Sequence, residues 1–261
     1  MLLIDIGSRN LYWGFEQDLS VPPGAWDLDS SCVRIGDLSE PCLYSVPGAT
    51  QTVLLVGDSH AVHLSQTMIE SANGQLWNAA VWGKGGCPIQ FEQSLEKRLT
   101  DRCIEQNLDI LNWVKVNKPS VVIVSQFVLA EFSQNDLRKA LSLLKSFTPN
   151  VLLVENTPVF PDESRFMVRL PMLFPRYDPP KFFLQSKMLV TDKFASDELS
   201  EWARENQIDT LDFSPLFCSD NLCRRYSDAG WLYSDEDHLS LVGAKLAAPQ
   251  FDDYLKSIPG R

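Results

Sequence analysis

The chain has 261 residues, of which 44% are hydrophobic, enough to bury a substantial core and too much for a disordered polymer. That length suits one large α/β domain or two small ones. A formal charge of -11 and the lack of any Lys/Arg-rich run exclude a nucleic-acid or anionic-membrane surface, and no apolar run approaches the roughly 20 residues that span a bilayer.

Residues 1–50 are weakly periodic and carry Pro22, Pro23, Gly24, Pro41, Pro47 and Gly48. They read as an irregular extension or linker packed on a main domain of residues 51–261. From Thr52 the pattern changes. Residues 52–57 are a short apolar run bounded by turn residues, the mark of a buried strand. A helix over 60–73 follows and ends near Asn73-Gly74. A second strand is expected from Leu76 to Val81, then a loop, Gly83-Lys84-Gly85-Gly86-Cys87-Pro88. A helix over 104–117 is stopped by Pro119, and the β-branched run Val121–Ser125 is the clearest strand. A helix over 134–147 and a strand over 151–154 continue the alternation. Residues 157–192 interrupt it with six prolines among Phe and Tyr, and read as a loop insertion. A helix over 193–206, a strand from Ile208 to Phe213 and a closing helix over 240–257, interrupted at Pro249, complete the chain. Strands alternating with helices make a mainly parallel sheet covered on both faces, which binds ligands at the carboxyl ends of its strands.

The six cysteines fall into three sequence-near pairs, Cys32–Cys42, Cys87–Cys103 and Cys218–Cys223. This is one of 15 connectivities; six free thiols or a metal site are the alternatives. The spacings do not match a zinc site, so disulfides and an oxidising compartment are expected. Met1-Leu2-Leu3-Ile4-Asp5 lacks the charged leader and apolar stretch of a signal peptide. The expectation is therefore a piece of a longer, membrane-anchored protein.

Two motifs carry chemistry. Thr52–Val56 leads into Gly57-Asp58-Ser59-His60, which puts a serine just past a strand end; Asp235-Glu236-Asp237-His238 puts a carboxylate three residues before a histidine. A serine hydroxyl needs a base to become a nucleophile, and its backbone N–H at a helix start can hold an oxyanion. Ser59 also reads as a plain N-cap. Of the three histidines, His60 adjoins Ser59 and is expected to point elsewhere, and His63 reads as structural. His238 has Asp235 in reach of its far imidazole nitrogen, the arrangement that fixes a tautomer and stabilises an imidazolium, although the acidic run also reads as a solvated loop. Gly86, or alternatively Gly85, can donate an oxyanion N–H or serve an ordinary turn. Gln126 is a weaker third donor at the end of the central strand.

The blocks Gly57-Asp58-Ser59 and Asp235-x-x-His238 resemble the SGNH (GDSL-type) hydrolase superfamily. Gly57-Asp58-Ser59-His60, Gly86-Cys87-Pro88, Cys103 and Asp237-His238-Leu239-Ser240 with Gly243 resemble more narrowly the SGNH domain fused to acyltransferase-3 membrane proteins. The resemblance implies a three-layer α/β/α, flavodoxin-like fold with Ser59 as nucleophile, His238 as base and Asp235 as its orienter. It also implies oxyanion donors at Ser59 and Gly86. The superfamily's Gly-x-Asn-Asp is absent; Val124-Ser125-Gln126-Phe127 stands there. The implied activity is transfer of an acetyl group to a hydroxyl of a cell-surface glycan such as lipopolysaccharide O-antigen, at the periplasmic face of the inner membrane. The implied partners are that glycan and an acyltransferase-3 membrane domain in the same full-length chain. No metal or organic cofactor is expected in the domain itself; acetyl-CoA is the indirect acyl source. A carbohydrate or lipid acetylesterase and a non-catalytic glycan-binding module are the alternatives. Arg165, Arg169, Arg176 and Lys181 are expected to make a basic patch for an acidic acceptor.

Overall fold

The computed structural model describes residues 40–91, 99–128, 134–161, 181–185, 188 and 190–259. Its centre is a six-stranded sheet in the order β1-β3-β2-β4-β5-β7. The strands are β1 (Cys42–Tyr44), β2 (Thr52–Gly57), β3 (Asn78–Gly83), β4 (Val121–Ser125), β5 (Asn150–Val154) and β7 (Asp209–Leu211). All pairs are parallel except β1 with β3. Alternate residues of β2 serve different layers, because strand side chains alternate in direction. Val53 and Leu55 join one apolar cluster with Leu64 and Met68 of α1 (Ser59–Gly74) and Phe251 and Leu255 of α7 (Ala248–Ser257). Leu54 and Val56 join another, with α2 (Asp101–Asn117), α3 (Gln134–Lys145) and α4 (Val190–Glu205). The sheet is thus sandwiched between helices, the three-layer α/β/α arrangement expected.

The chain runs from β2 through α1 to β3 on one side, then crosses to β4 on the other side of β2. The crevice between the ends of β2 and β4 is therefore the switch point at which such sheets bind ligands. The carboxyl ends are level, with Gly57 opposite both Gly83 and Ser125, and Ser125 opposite Val154.

Several boundaries differ from the sequence expectation. The second strand begins at Asn78 because α1 runs to Gly74 and Leu76 turns the chain with φ 59°. The closing helix is split into α6 (Leu241–Lys245) and α7, with Pro249 in the first turn of α7, where a missing N–H costs nothing. Part of the expected extension joins the sheet as β1; residues 1–39 lie outside the described residues. Within the expected insertion, residues 162–180 also lie outside. β6 (Phe182–Leu184) pairs with β9 (Leu222–Arg224) and β9 with β8 (Cys218–Ser219) in a small antiparallel sheet. The short helix α5 (Ser214–Phe217) and the pair β10 (Tyr226–Ser227) and β11 (Gly230–Trp231) complete this region. Elements of two to four residues show no periodicity, so the sequence did not announce them.

Two expected disulfides are present, Cys87–Cys103 and Cys218–Cys223. The latter joins residues directly opposite across β8 and β9. The pairing Cys32–Cys42 falls partly on residues outside those described. Among the described residues no helix is long and apolar enough to cross a membrane.

Candidate active site

Gly57 ends β2 with φ 148°, and a Cβ there would lie 1.7 Å from the Ser125 carbonyl oxygen of β4. Only glycine lets the two strand ends approach this closely. Asp58 follows as the N-cap of α1. Its Oδ1 accepts the His60 N–H at 2.8 Å and its Oδ2 accepts the Phe127 N–H at 2.9 Å. One buried carboxylate therefore ties the start of α1 to the segment leaving β4. Ser59 is the first residue of the helix, and the Asp58 carbonyl already accepts from Val62. The Ser59 N–H is among the first-turn amides that have no acceptor within the helix, where the dipole favours negative charge.

A cleft of about 220 Å³ opens here, lined by Ser59, Gly86, Gln126, Phe127 and Asp237 among others. Gly86, not Gly85, reaches it, at φ 72° in the turn after β3. The glycine loop is held from three directions. Cys87 is bonded to Cys103 in the first turn of α2. The Asn107 side-chain amide donates to the carbonyls of Pro88 and Gln90, at 3.0 Å each. The Ile89 N–H donates to Gln126 Oε1 at 2.7 Å. That last bond fixes the amide of Gln126: its oxygen is occupied by a backbone donor, which leaves the NH₂ end to serve the cleft. Asn156, just past β5, clamps the neighbouring segment, accepting the Val128 N–H at 2.9 Å and donating to the Val128 carbonyl at 2.7 Å.

The other wall is the loop from Tyr233 to Leu239, closed by a bridge between those two residues. Asp235 organises it. Its Oδ1 accepts the N–H groups of Asp237 (3.1 Å) and His238 (2.8 Å). Its carboxylate also receives His238 Nδ1, at 3.0 and 2.9 Å to the two oxygens. This hydrogen bond puts the imidazole proton on Nδ1 and leaves Nε2 as the basic nitrogen. Asp237 Oδ1 lies 3.0 Å from the same Nδ1, an ion contact outside hydrogen-bond alignment. Burial disfavours the charged form of His238, but the Asp235 and Asp237 carboxylates outweigh it, and its pKa is pushed up to about 10. Burial likewise opposes the Asp237 carboxylate, yet His238 and His60 hold its pKa well below the usual range.

His60 departs from expectation. It points into the site, its ring 5.2 Å from that of His238 and stacked on Phe127 at 5.0 Å. His63 is structural as expected: fully buried, it accepts the Leu239 N–H on Nδ1 at 3.3 Å, and burial with its imidazole neighbours lowers its pKa well below normal. Four residues went unassigned from sequence: Asp58, His60, Asn156 and Asp237. The signals were present in the polar residues that directly follow β2 and β5, and in the i, i+3 spacing of His60 and His63, which shares one helix face. Of the expected basic patch, Arg165, Arg169 and Arg176 lie outside the described residues, and Lys181 sits over the Tyr226 ring at 4.9 Å. Two groups of donor atoms lie close enough to meet around a cation, His60 with Asp237 and His238, and the run Asp235 to Asp237. Both belong to this ion-paired cluster, and we assign no metal to either.

The fold is shared with the periplasmic domain of a lipopolysaccharide acetyltransferase from Salmonella ser. Paratyphi A, at TM-score 0.62 and 15% identity over 81% of this chain and 86% of that one. A GDSL-like lipase from Bacteroides thetaiotaomicron superposes at TM-score 0.47 and 12% identity, over 79% and 88% of the two chains. The C-terminal catalytic domain of peptidoglycan O-acetyltransferase A from Streptococcus pneumoniae does so at 0.43 and 15%, over 81% and 96%. No curated protein sequence matches the chain. The family model described as SGNH domain (fused to AT3 domains) matches residues 28–253, and the chain belongs to that family.

Proposed function

We propose that this domain is a serine-dependent O-acetyltransferase that places an acetyl group on a hydroxyl of a cell-surface glycan. The observation that carries the reading is the pairing of His238 Nδ1 with the Asp235 carboxylate within a loop whose Asp237 lines the same cleft as Ser59, which stands at a helix N-terminus. In the first half-reaction neutral His238 Nε2 takes the Ser59 hydroxyl proton as Oγ attacks the acyl carbonyl carbon. The tetrahedral oxyanion is met by the N–H groups of Ser59 and Gly86 and by the Gln126 amide. Collapse expels the donor's oxygen, which receives the proton from His238, and leaves acetyl-Ser59. In the second half-reaction a sugar hydroxyl gives its proton to His238 Nε2 and attacks the acetyl carbonyl. Oγ leaves, takes that proton back, and the acetylated sugar departs.

Asp235 keeps the imidazole in the correct tautomer throughout and stabilises the imidazolium. The orientation of Gln126 supports its role as third donor in place of the asparagine of the superfamily's Gly-x-Asn-Asp block. The membership of a family fused to AT3 domains supports an acyltransferase-3 membrane partner, with the acetyl group originating from acetyl-CoA on its far side. In this reading the domain works at the periplasmic face of the inner membrane, with lipopolysaccharide O-antigen as the acceptor class. No metal or organic cofactor enters these steps.

The test is acetyl transfer from an activated acetyl ester to a polysaccharide fragment, read by mass spectrometry for the natural chain and Ser59→Ala. Acetylated saccharide from the natural chain only is the expected result. Serine-dependent hydrolysis with no transfer moves the reading to an acetylesterase. Equal activity in the two proteins overturns the serine mechanism.

A further inference from the structure

The cleft beside Ser59 measures about 220 Å³, below the roughly 300–1,000 Å³ of most small-molecule sites. It suits the reacting groups and little else, so the further sugars of a glycan acceptor must lie outside it. A second and larger hollow, of about 710 Å³, adjoins it. Asp136, in the first turn of α3, lines both.

The larger hollow is built on one face of α3. Leu137, Ala140, Leu141 and Leu144 of that helix turn into the core, whereas Asn135, Arg138, Lys139 and Ser142 line the hollow. Spacings of three and four residues put the second set on one side of the helix. Trp202 of α4 and Phe91 also line it, and both rings are half-buried against the core beneath α3. The lining thus mixes aromatic surface with amide, hydroxyl and cationic donors, which is what the apolar C–H face and hydroxyl rim of a sugar require.

Arg138 is held in place for such a role. Its Nη2 donates to Gln134 Oε1 at 3.1 Å and lies 3.4 Å from Glu198 Oε1, and its guanidinium lies over the Trp202 ring at 5.7 Å. Gln134 itself lines the catalytic cleft, so one hydrogen bond joins that cleft to the hollow. Two cations, Arg138 and Lys139, face one acid, Asp136, in a chain of formal charge -11. An acidic glycan repelled by the rest of the surface is not repelled here.

We propose that this hollow is an acceptor subsite that binds the sugars next to the acetylated one, so that the glycan is recognised as an oligosaccharide and not as a single sugar. The proposal deepens the transferase reading and rests on it. Its occupant runs from the Ser59 cleft past Asp136 and along the outer face of α3 to Trp202.

The test is titration of the 261-residue chain with O-antigen from the strain that carries it, cut to single sugars, single repeat units and longer fragments. Binding is read by NMR from the Trp202 indole N–H, assigned by its loss in Trp202→Phe. Fragments longer than one sugar should move that signal and bind about tenfold more tightly than a single sugar, the gain from one or two net hydrogen bonds. Ser142→Tyr fills the hollow from an exposed position whose hydroxyl bonds only to the Arg138 carbonyl of its own helix. It should bring longer fragments down to the affinity of the single sugar. If Ser142→Tyr does not fold, Arg138→Ala decides, with an expected loss of about fivefold or more in affinity for longer fragments. Equal affinity at all lengths, no binding of any fragment, or binding that ignores the variant overturns the subsite. So does a concentration-dependent dimer abolished by Ser142→Tyr, which would assign the hollow to a second copy of the chain. Binding is read without turnover. Should Ser59→Ala keep full acyl transfer, the serine mechanism fails while fragment binding still decides the subsite.

Discussion

The two walls of the cleft are built on different principles. The floor, Gly57 to Ser59 and Ser125 to Val128, continues two adjacent parallel strands, so its geometry follows from sheet register and a few short-range bonds. The opposite wall, Tyr233 to Leu239, is no extension of a sheet strand: an isolated bridge, the Ser234 N–H on the His238 carbonyl and two amides on Asp235 close it. It is held by contacts from distant parts of the chain. The Phe160 N–H donates to the Glu236 carbonyl at 2.8 Å, and the Leu232 N–H to the Arg225 carbonyl at 2.7 Å. The buried Arg225 guanidinium lies over the rings of Phe160, Phe183 and Trp231, at 5.2 to 5.7 Å. The place of Ser59 is therefore a local consequence of strand and helix, whereas the place of the loop that carries His238 depends also on tertiary contacts.

The sharpest test of the floor is Ser59→Ala, which should lower acyl transfer by about 10⁴-fold or more while leaving the fold intact. Next is Gln126→Glu, expected to reduce kcat by about 10²–10³-fold with little change in KM. The glutamate can still accept the Ile89 N–H, so the glycine loop stays in place while a donor becomes a repulsive acceptor. A large rise in KM with kcat unchanged would assign Gln126 to substrate binding instead.

Stability measurements separate the walls further. Gly57→Ala should destabilise by about 4 kcal/mol or more in denaturant unfolding, since the new Cβ meets backbone that cannot give way. Arg225→Ala, on the loop side, should cost about 2–4 kcal/mol by stripping a desolvated cation from three rings. It should also lower activity without touching the floor. If Arg225→Ala is neutral in both, the loop wall is self-sufficient and the contrast collapses. Cys103→Ser should cost about 3 kcal/mol for a loop of this length, an effect of the same size as that of Arg225→Ala. It should weaken turnover through Gly86, because Cys87–Cys103 ties that turn to α2.

The alternation of apolar runs and amphipathic stretches was enough to read the parallel sheet, its five main helices and the position of Ser59 at a strand end. These features repeat over many residues, and periodicity reports them directly. The Asp235-x-x-His238 spacing was legible for a similar reason, being a local chain geometry in which one carboxylate reaches an imidazole three residues on. The pairing of Cys87 with Cys103 and of Cys218 with Cys223 also followed from short spacing. What the sequence could not convey is which side chains meet from separate elements. The bridge of Asp58 to Phe127, the turning of Gln126 by the Ile89 N–H and the sharing of Asp237 by His60 and His238 all join residues through the packing of α1 and the loops on the sheet. The small sheet of β6, β9 and β8 likewise exists only as long-range pairing of segments too short to show a period. Local pattern determined the elements and the position of Ser59 at a strand end; the electrostatic surroundings of His238 were decided by tertiary structure, because charge acts through distance in space and not along the chain.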